Sequence, residues 1–507
     1  VKEEESISKY LLLMKLKQLE TVLILFFSGL LLALYSYYRP EISMSFLKGE
    51  TVNFDFIPFD KLLTLSLKSN HNSKADSLTD KLLAQSLTDT ATVKVEPSKK
   101  EQEMPFLSLP SSNEGIGPLD NFFSALKLDA PKKVVRIAHY GDSQIEGDRI
   151  SSNLRTKFIH EFGGEGVGFI PFEDIAECVS YTRTSSKNWK RFTVFHDKLK
   201  KGNFGLSGMS FIYLKHGKDE ISEESIDEDD KSITENDPEK TENIETSTMI
   251  NITLRSHYSR LAIQYGNAES PCKVIVCKRG KKEVLGKVVL QSNEDYNEQE
   301  IPLSSNERQL CFTFKGKSPV FYGITIDGNK GVQVDNYGIR GHSGNGLMKI
   351  NNLLLSKEIE QSNTRLLLLQ FGANTIPYVK DGKTLNYIAQ EFAKLFKKFK
   401  EANRNISILV IGVGDMATRI DGEYTSYPMI PQIRDVLKKS ALDAGCAYFD
   451  LYEYMGGKDA ILSWSKKGLA SKDGHFSPQG QEIVADEIFK VLLNNYDLFK
   501  KKYHLNS

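Results

Sequence analysis

Residues 133–143 constrain the fold of this chain more than any other stretch. Lys133-Val134-Val135-Arg136-Ile137-Ala138-His139-Tyr140 reads as a buried strand, and Gly141-Asp142-Ser143 breaks it. Ile150, Leu154, Phe158 and Phe162 then recur at helical spacing up to Gly163-Gly164. This is strand, tight turn, helix. The alternation returns from about Val332. Helical patterns over 345–356, 387–402, 433–444 and 481–494 separate apolar runs over 365–370 (RLLLLQ), 407–413 (SILVIGV) and 447–451. Continuous apolar runs suit strands covered on both faces. The fold class is therefore α/β, with a parallel sheet and right-handed crossovers.

At 507 residues the chain is too long for one ordinary core, since a domain takes roughly 100–200 residues. The α/β pattern occupies two parts, 116–172 and 331–507. Between them, 173–330 shows short strand-like stretches at 249–255, 260–265, 273–278, 287–290, 309–314 and 320–327, which predict an inserted β-sandwich. Its segment 218–245 is strongly acidic and reads as a solvated loop. Residues 39–115, rich in Ser, Thr, Lys and Asp, read as a stalk. Thr21 to Tyr38 carries no charge and follows Lys15 and Lys17. Its length and flanks predict an uncleaved transmembrane signal-anchor with residues 1–20 cytoplasmic, which puts the rest outside the cytoplasm.

Lys+Arg and Asp+Glu both total 66, so charge gives no pointer to nucleic acid. The five cysteines form no C-x-x-C pair, which argues against a zinc ribbon. Cys272 and Cys277 read as buried hydrophobes within one strand. No metal-ligand motif, P-loop or dinucleotide fingerprint is present.

Ser143 falls where a parallel strand meets a helix N-terminus, a place where open α/β sheets bind ligands and where free N–H groups favour negative charge. A serine hydroxyl needs a base to become a nucleophile. Among nine histidines, His475 stands out in Ser471-Lys472-Asp473-Gly474-His475, in a loop before the last helix. Asp473 is close enough in sequence to orient its imidazole. Ser477-Pro478 then reads as a helix N-cap and first position.

With these motifs the chain resembles the SGNH (GDSL) hydrolases, a three-layer, flavodoxin-like α/β family. Gly141-Asp142-Ser143 matches the first block, Asn336-Tyr337-Gly338-Ile339-Arg340-Gly341 the second, Gly372-Ala373-Asn374 the third and Asp473 with His475 the fifth. The resemblance covers about 134–172 and 332–493. It implies Ser143 as nucleophile, His475 as base and Asp473 as its acid, and no cofactor. It also implies an oxyanion hole made by the backbone N–H groups of Ser143 and Gly341 and the side chain of Asn374. The family spaces acid and base as D-x-x-H; here the spacing is D-x-H, and Lys472 stands at the usual acid position. Gly141-Asp142-Ser143-Gln144-Ile145-Glu146-Gly147-Asp148 and the Gly-rich run 163–168 are most similar to bacterial peptidoglycan O-acetylesterases, which carry a β-sandwich between the first two blocks. The resemblance thus implies a serine esterase acting on an acetylated glycan. The same apparatus could transfer acetyl groups, or survive as a non-catalytic glycan-binding domain.

Rival readings concern single residues. Ser343, in Gly341-His342-Ser343-Gly344-Asn345, partly mimics a nucleophile elbow but lacks the final glycine and the preceding strand. His342 beside it is a candidate substrate contact, against a surface-loop histidine. His139 reads as a core histidine. Asp148 and Arg155 read as a buttress of the helix start, and Asp415 as either a helix cap or a site residue.

Overall fold

The computed structural model describes residues 43–45, 51–53, 106–110, 116–197, 199, 202–214 and 248–505. Val1–Glu101 and Gln102–Ser507 form two separate compact units. In the first, Ser43–Ser45 pairs antiparallel with Thr51–Asn53, within the expected stalk. The expected cytoplasmic segment 1–20, the membrane span 21–38 and the acidic stretch 218–245 lie outside the described residues. Among the described residues, no helix is long and apolar enough to cross a membrane.

In the second unit five parallel strands form the α/β sheet. They are β1 (Val134–Gly141), β2 (Gly331–Gly338), β3 (Thr364–Gln370), β4 (Ser407–Ile411) and β5 (Ala447–Phe449), in the order β2-β1-β3-β4-β5. Leu107–Ser108 closes the β5 edge antiparallel. This is the flavodoxin-like order, and its crevice opens where strand order reverses, at the carboxyl end of β1.

Side chains alternate across the sheet with period two. On one face Val135, Ile137, Leu366, Leu368, Leu409 and Ile411 share a core with α1 (Asp120–Leu128), α2 (Arg149–Phe162) and α6 (Pro478–Lys502). The rings of Phe158 on α2 and Phe489 on α6 meet edge-on at 5.0 Å. On the other face Ala138, Tyr140, Leu367, Leu369, Ile408 and Val410 pack with α3 (Asn352–Gln361), α4 (Gly382–Ala402) and α5 (Ile430–Asp443). Burying each such Leu, Ile or Phe contributes about 1.5–3 kcal/mol, so both faces hold the strand ends in place.

Among the described residues the insertion forms two antiparallel sheets, of six and five strands. Phe172 and Trp189 meet Phe314 and Phe321 between them, with Phe172 and Phe321 centroids 4.6 Å apart. It begins earlier than the expected boundary at 173. Gly166–Ile170 pairs with Val320–Asp327 in the insertion's own sheet; a glycine-rich run hid this strand. Strands at Tyr181–Ser185, Trp189–Thr193, Met209–Tyr213 and Asn297–Glu300 also add to those expected. The insertion is tied to β1 through Arg136, which pairs with Asp327 and lies 3.2 Å from Asp335 on β2.

Cys272 is buried as expected, while Cys277 is only partly so, and all five cysteines are free.

Candidate active site

Gly141, Gly338 and Gln370 lie side by side at the carboxyl ends of β1, β2 and β3. The three loops that follow carry Ser143, Gly341 and Asn374, while Asp473 and His475 come from the loop before α6. Ser143 Oγ is 2.8 Å from His475 Nε2. On the far side of the ring, Nδ1 lies 3.1 Å from Asp473 Oδ2. With the proton on Nδ1 donated to Asp473, Nε2 accepts from the serine hydroxyl. Two residues 332 positions apart thus meet in nucleophile-to-base geometry.

The D-x-H spacing is accommodated by the loop itself. Ser471 N–H donates to the His475 carbonyl at 2.8 Å, and Gly474 turns the chain at φ +90°. Asp473 Oδ1 accepts from the Ser471 hydroxyl and from His475 N–H, leaving Oδ2 for the ring. Partial burial raises the Asp473 carboxyl, but the Ser471 hydroxyl, the His475 amide and the imidazole outweigh it and hold the group below the usual carboxylate range. Lys472, at the family's usual acid position, points away and sits 3.6 Å above the Tyr424 ring.

Asp142 behaves oppositely. It is buried, and burial pushes its carboxyl up to about 6 against the Gln144 amide and the nearby His475. Its Oδ2 accepts from Asn374 Nδ2 at 2.8 Å, and the same nitrogen reaches the His342 carbonyl at 3.4 Å. Asn374 therefore bridges the nucleophile turn and the Gly341 loop. Gly341 needs to be glycine: its φ is +74°, and a Cβ there would lie 3.2 Å from Phe195 Cε1. Its neighbour Arg340 is fixed by buried Glu146, at 2.7 Å through Nη2 and 2.9 Å through Nε.

Below the turn, Asp148 takes a left-handed φ of +67° at the head of α2 and receives Arg155 at 2.6 and 2.8 Å. It is a buttress, as its sequence position implies. His139 is a core histidine: burial lowers its pKa to about 4, and its ring nitrogens meet Ser151 Oγ at 2.9 Å and Gln370 Oε1 at 3.2 Å.

His342 departs from the surface-loop expectation. The residue is 1% exposed, between the rings of Phe195 and Phe371, so it is no surface residue. Its link to the site is its carbonyl. Ser343 donates to Asn345 Oδ1 at 3.1 Å. Asp415 accepts from Ile461 N–H at 2.9 Å in the first turn of the helix Ala460–Lys466, and it also lines the cleft beside the site.

Two participants were not singled out from sequence. Gln144 reaches the histidine loop, and Phe195 brings the insertion against Gly341. Their partners lie far along the chain, and no local pattern points to them. Beside Ser143 and His475 an open cleft is lined by Asp142, Gln144, Phe371, Met416 and Gly474, among others. Among the described residues, no group of three or more His, Cys, Asp or Glu is placed to hold a metal ion.

Residues 321–483 match the GDSL-like Lipase/Acylhydrolase family. Ser143 precedes the matched segment, on the other side of the insertion. No curated protein matches the chain. A solved structure of a peptidoglycan O-acetylesterase is similar over 77% of this chain and 99% of its own, with 17% identity and a TM-score of 0.58; that likeness establishes the fold. An acetyl xylan esterase is similar over 31% of this chain and 80% of its own, at 18% identity and a TM-score of 0.25. A family two carbohydrate esterase from Clostridium thermocellum covers 49% and 92%, at 10% identity and a TM-score of 0.25.

Proposed function

From a GDSL-like carboxylic ester hydrolase domain, we propose that this chain removes O-acetyl groups from a cell-envelope glycan, namely peptidoglycan. The observation that carries the reading is Ser143 Oγ at 2.8 Å from His475 Nε2, with Asp473 across the ring. Ser143 Oγ attacks the acetyl carbonyl carbon while His475 takes its proton. The carbonyl oxygen becomes an oxyanion, bound by the N–H groups of Ser143 and Gly341 and by Asn374. For this, Asn374 exchanges its 3.4 Å bond to the His342 carbonyl, the weaker of its two, for the substrate oxygen. The tetrahedral species collapses, His475 protonates the departing sugar oxygen, and acetyl remains on Ser143. Water, deprotonated by His475, then releases acetate. The His475 side chain is 43% exposed. Water therefore reaches the base for this second step.

Peptidoglycan as substrate is supported by the Gly-Asp-Ser-Gln-Ile-Glu-Gly-Asp turn and by the insertion shared with the similar O-acetylesterase. The charge-free tract 21–38 supports a membrane-anchored chain with this domain outside the cytoplasm; fractionation of the full chain with and without that tract tests it.

The test of function is acetate release from O-acetylated peptidoglycan and from acetylated xylan. Peptidoglycan is expected to be the better substrate. Ser143→Ala is expected to lower kcat by about 10³-fold or more on every acetyl ester. Retained activity in Ser143→Ala overturns the site, and preference for xylan overturns the substrate.

A further inference from the structure

The residue after the nucleophile spans to the chain on both sides of the base. Gln144 Nε2 donates to the Gly474 carbonyl at 2.6 Å, and Phe476 N–H donates to Gln144 Oε1 at 3.4 Å. One amide group thus makes a paired contact with the backbone immediately before and after His475, in the manner of a neighbouring strand. Gln144 is itself fixed, since its own N–H donates to Asp142 Oδ1 at 3.0 Å. Gly474 and Phe476 are buried, while Asp473, the other restraint on the ring, is mostly exposed.

We propose that Gln144 is a positioning residue that sets His475 at bonding distance from Ser143. The inference rests on the reading of Ser143 and His475 as nucleophile and base. An exposed carboxylate one residue nearer than usual orients the ring through a contact that water screens. The Gln144 amide supplies a partly buried restraint on the backbone. It also makes the register between nucleophile and base a property of one side chain, because Ser143 and Gln144 are adjacent. Glutamine fits this role where glutamate does not: the clamp needs one donor, for Gly474 O, and one acceptor, for Phe476 N–H.

The test uses the full chain, a small acetyl ester and acetylated peptidoglycan. Gln144→Ala is expected to lower kcat about 10–100-fold on both substrates with KM within about twofold, the size expected of a misplaced base. It should also speed hydrogen exchange at the Phe476 amide, a readout independent of activity. Gln144→Glu keeps the shape. Ionised, its carboxylate faces the Gly474 carbonyl with no hydrogen to donate; protonated, it restores the donor. The ratio of its kcat to wild type is expected to rise as pH falls below about 5. Asp142, Asp415, Asp473 and His475, titratable groups around Gln144, are present in both proteins, so a pH dependence of the ratio comes from residue 144, directly or through its charge on them. A flat ratio together with unchanged kcat in Gln144→Ala overturns the proposal, as does unchanged exchange at Phe476. A wild type inactive on every acetyl ester overturns the esterase reading instead, and the exchange result then decides the clamp alone.

Discussion

In the nucleophile turn, Asp142, Glu146 and Asp148 are all buried, and each has a named partner: Asn374, Arg340 and Arg155. In the base loop, the Asp473 side chain is 67% exposed and its partners are its own neighbours, Ser471 and His475. The two aspartates shift in opposite directions. Burial drives Asp142 up to about 6, whereas hydrogen bonds hold Asp473 down despite partial burial. The turn is thus a piece of the core whose charges depend on partners. The loop is a surface segment whose chemistry depends on orientation. Loss of the turn's buried carboxylates should appear as lost stability, and damage to the loop as lost rate.

The largest effect is expected at the base. His475→Ala should lower kcat by about 10⁴-fold or more while leaving the unfolding midpoint nearly unchanged, since the ring is half-exposed. Kinetics on an acetyl ester, paired with thermal unfolding, checks both halves. A matching loss of stability would break the comparison.

Next comes the turn's buttress. Asp148→Ala leaves the buried Arg155 guanidinium without its bidentate partner and keeps the left-handed backbone. A cost of about 3–5 kcal/mol in denaturant unfolding is expected. If unfolding were unaffected and only kcat fell, Asp148 would belong with the catalytic apparatus.

The third prediction concerns pH. The folded carboxyl of Asp142 titrates at about 6, above its unfolded value, so the folded state binds this proton more tightly. The stabilisation is full below the unfolded pKa and is lost as pH rises through about 6. The stability difference between wild type and Asp142→Asn should therefore fall by about 2–3 kcal/mol between pH 4 and pH 7, then level off. Taking the difference removes His139 and His342, which burial lowers to about 4. A difference that rises with pH would mean Asp142 is held ionised, like Asp473.

The division between turn and loop also separates what could be read from sequence. The strand ending at Tyr140, the Gly141-Asp142-Ser143 turn and the helix after it are local patterns, so the position of Ser143 just past the carboxyl end of β1 is legible in the sequence. His475 was legible because it stands just before a Ser-Pro helix start. What sequence hid was contact at long range. Gln144 meets Gly474 at a separation of 330 residues, and Phe195 reaches Gly341 from inside the insertion. His342 looked like a loop residue because the aromatics that bury it, Phe195 and Phe371, come from other elements. The insertion's first strand, Gly166–Ile170, was obscured because glycines at 166 and 168 read as a turn; both have positive φ within a paired strand.

The smallest effect expected is at the acid. In serine hydrolases whose triad aspartate is buried, replacing it with asparagine costs about 10⁴-fold in kcat, because the wrong imidazole tautomer is stabilised. Here Asp473 is mostly exposed, and Gln144 restrains the same loop independently. Water can take over part of the carboxylate's role at Nδ1. Asp473→Asn is therefore expected to lower kcat only about 10–100-fold, with KM little changed. Combining it with Gln144→Ala removes both restraints on the ring, and the double variant should lose more than the product of the single losses. Simple multiplication would mean that carboxylate and clamp act on separate steps, and a full 10⁴-fold loss in Asp473→Asn alone would place this exposed acid on a par with a buried one.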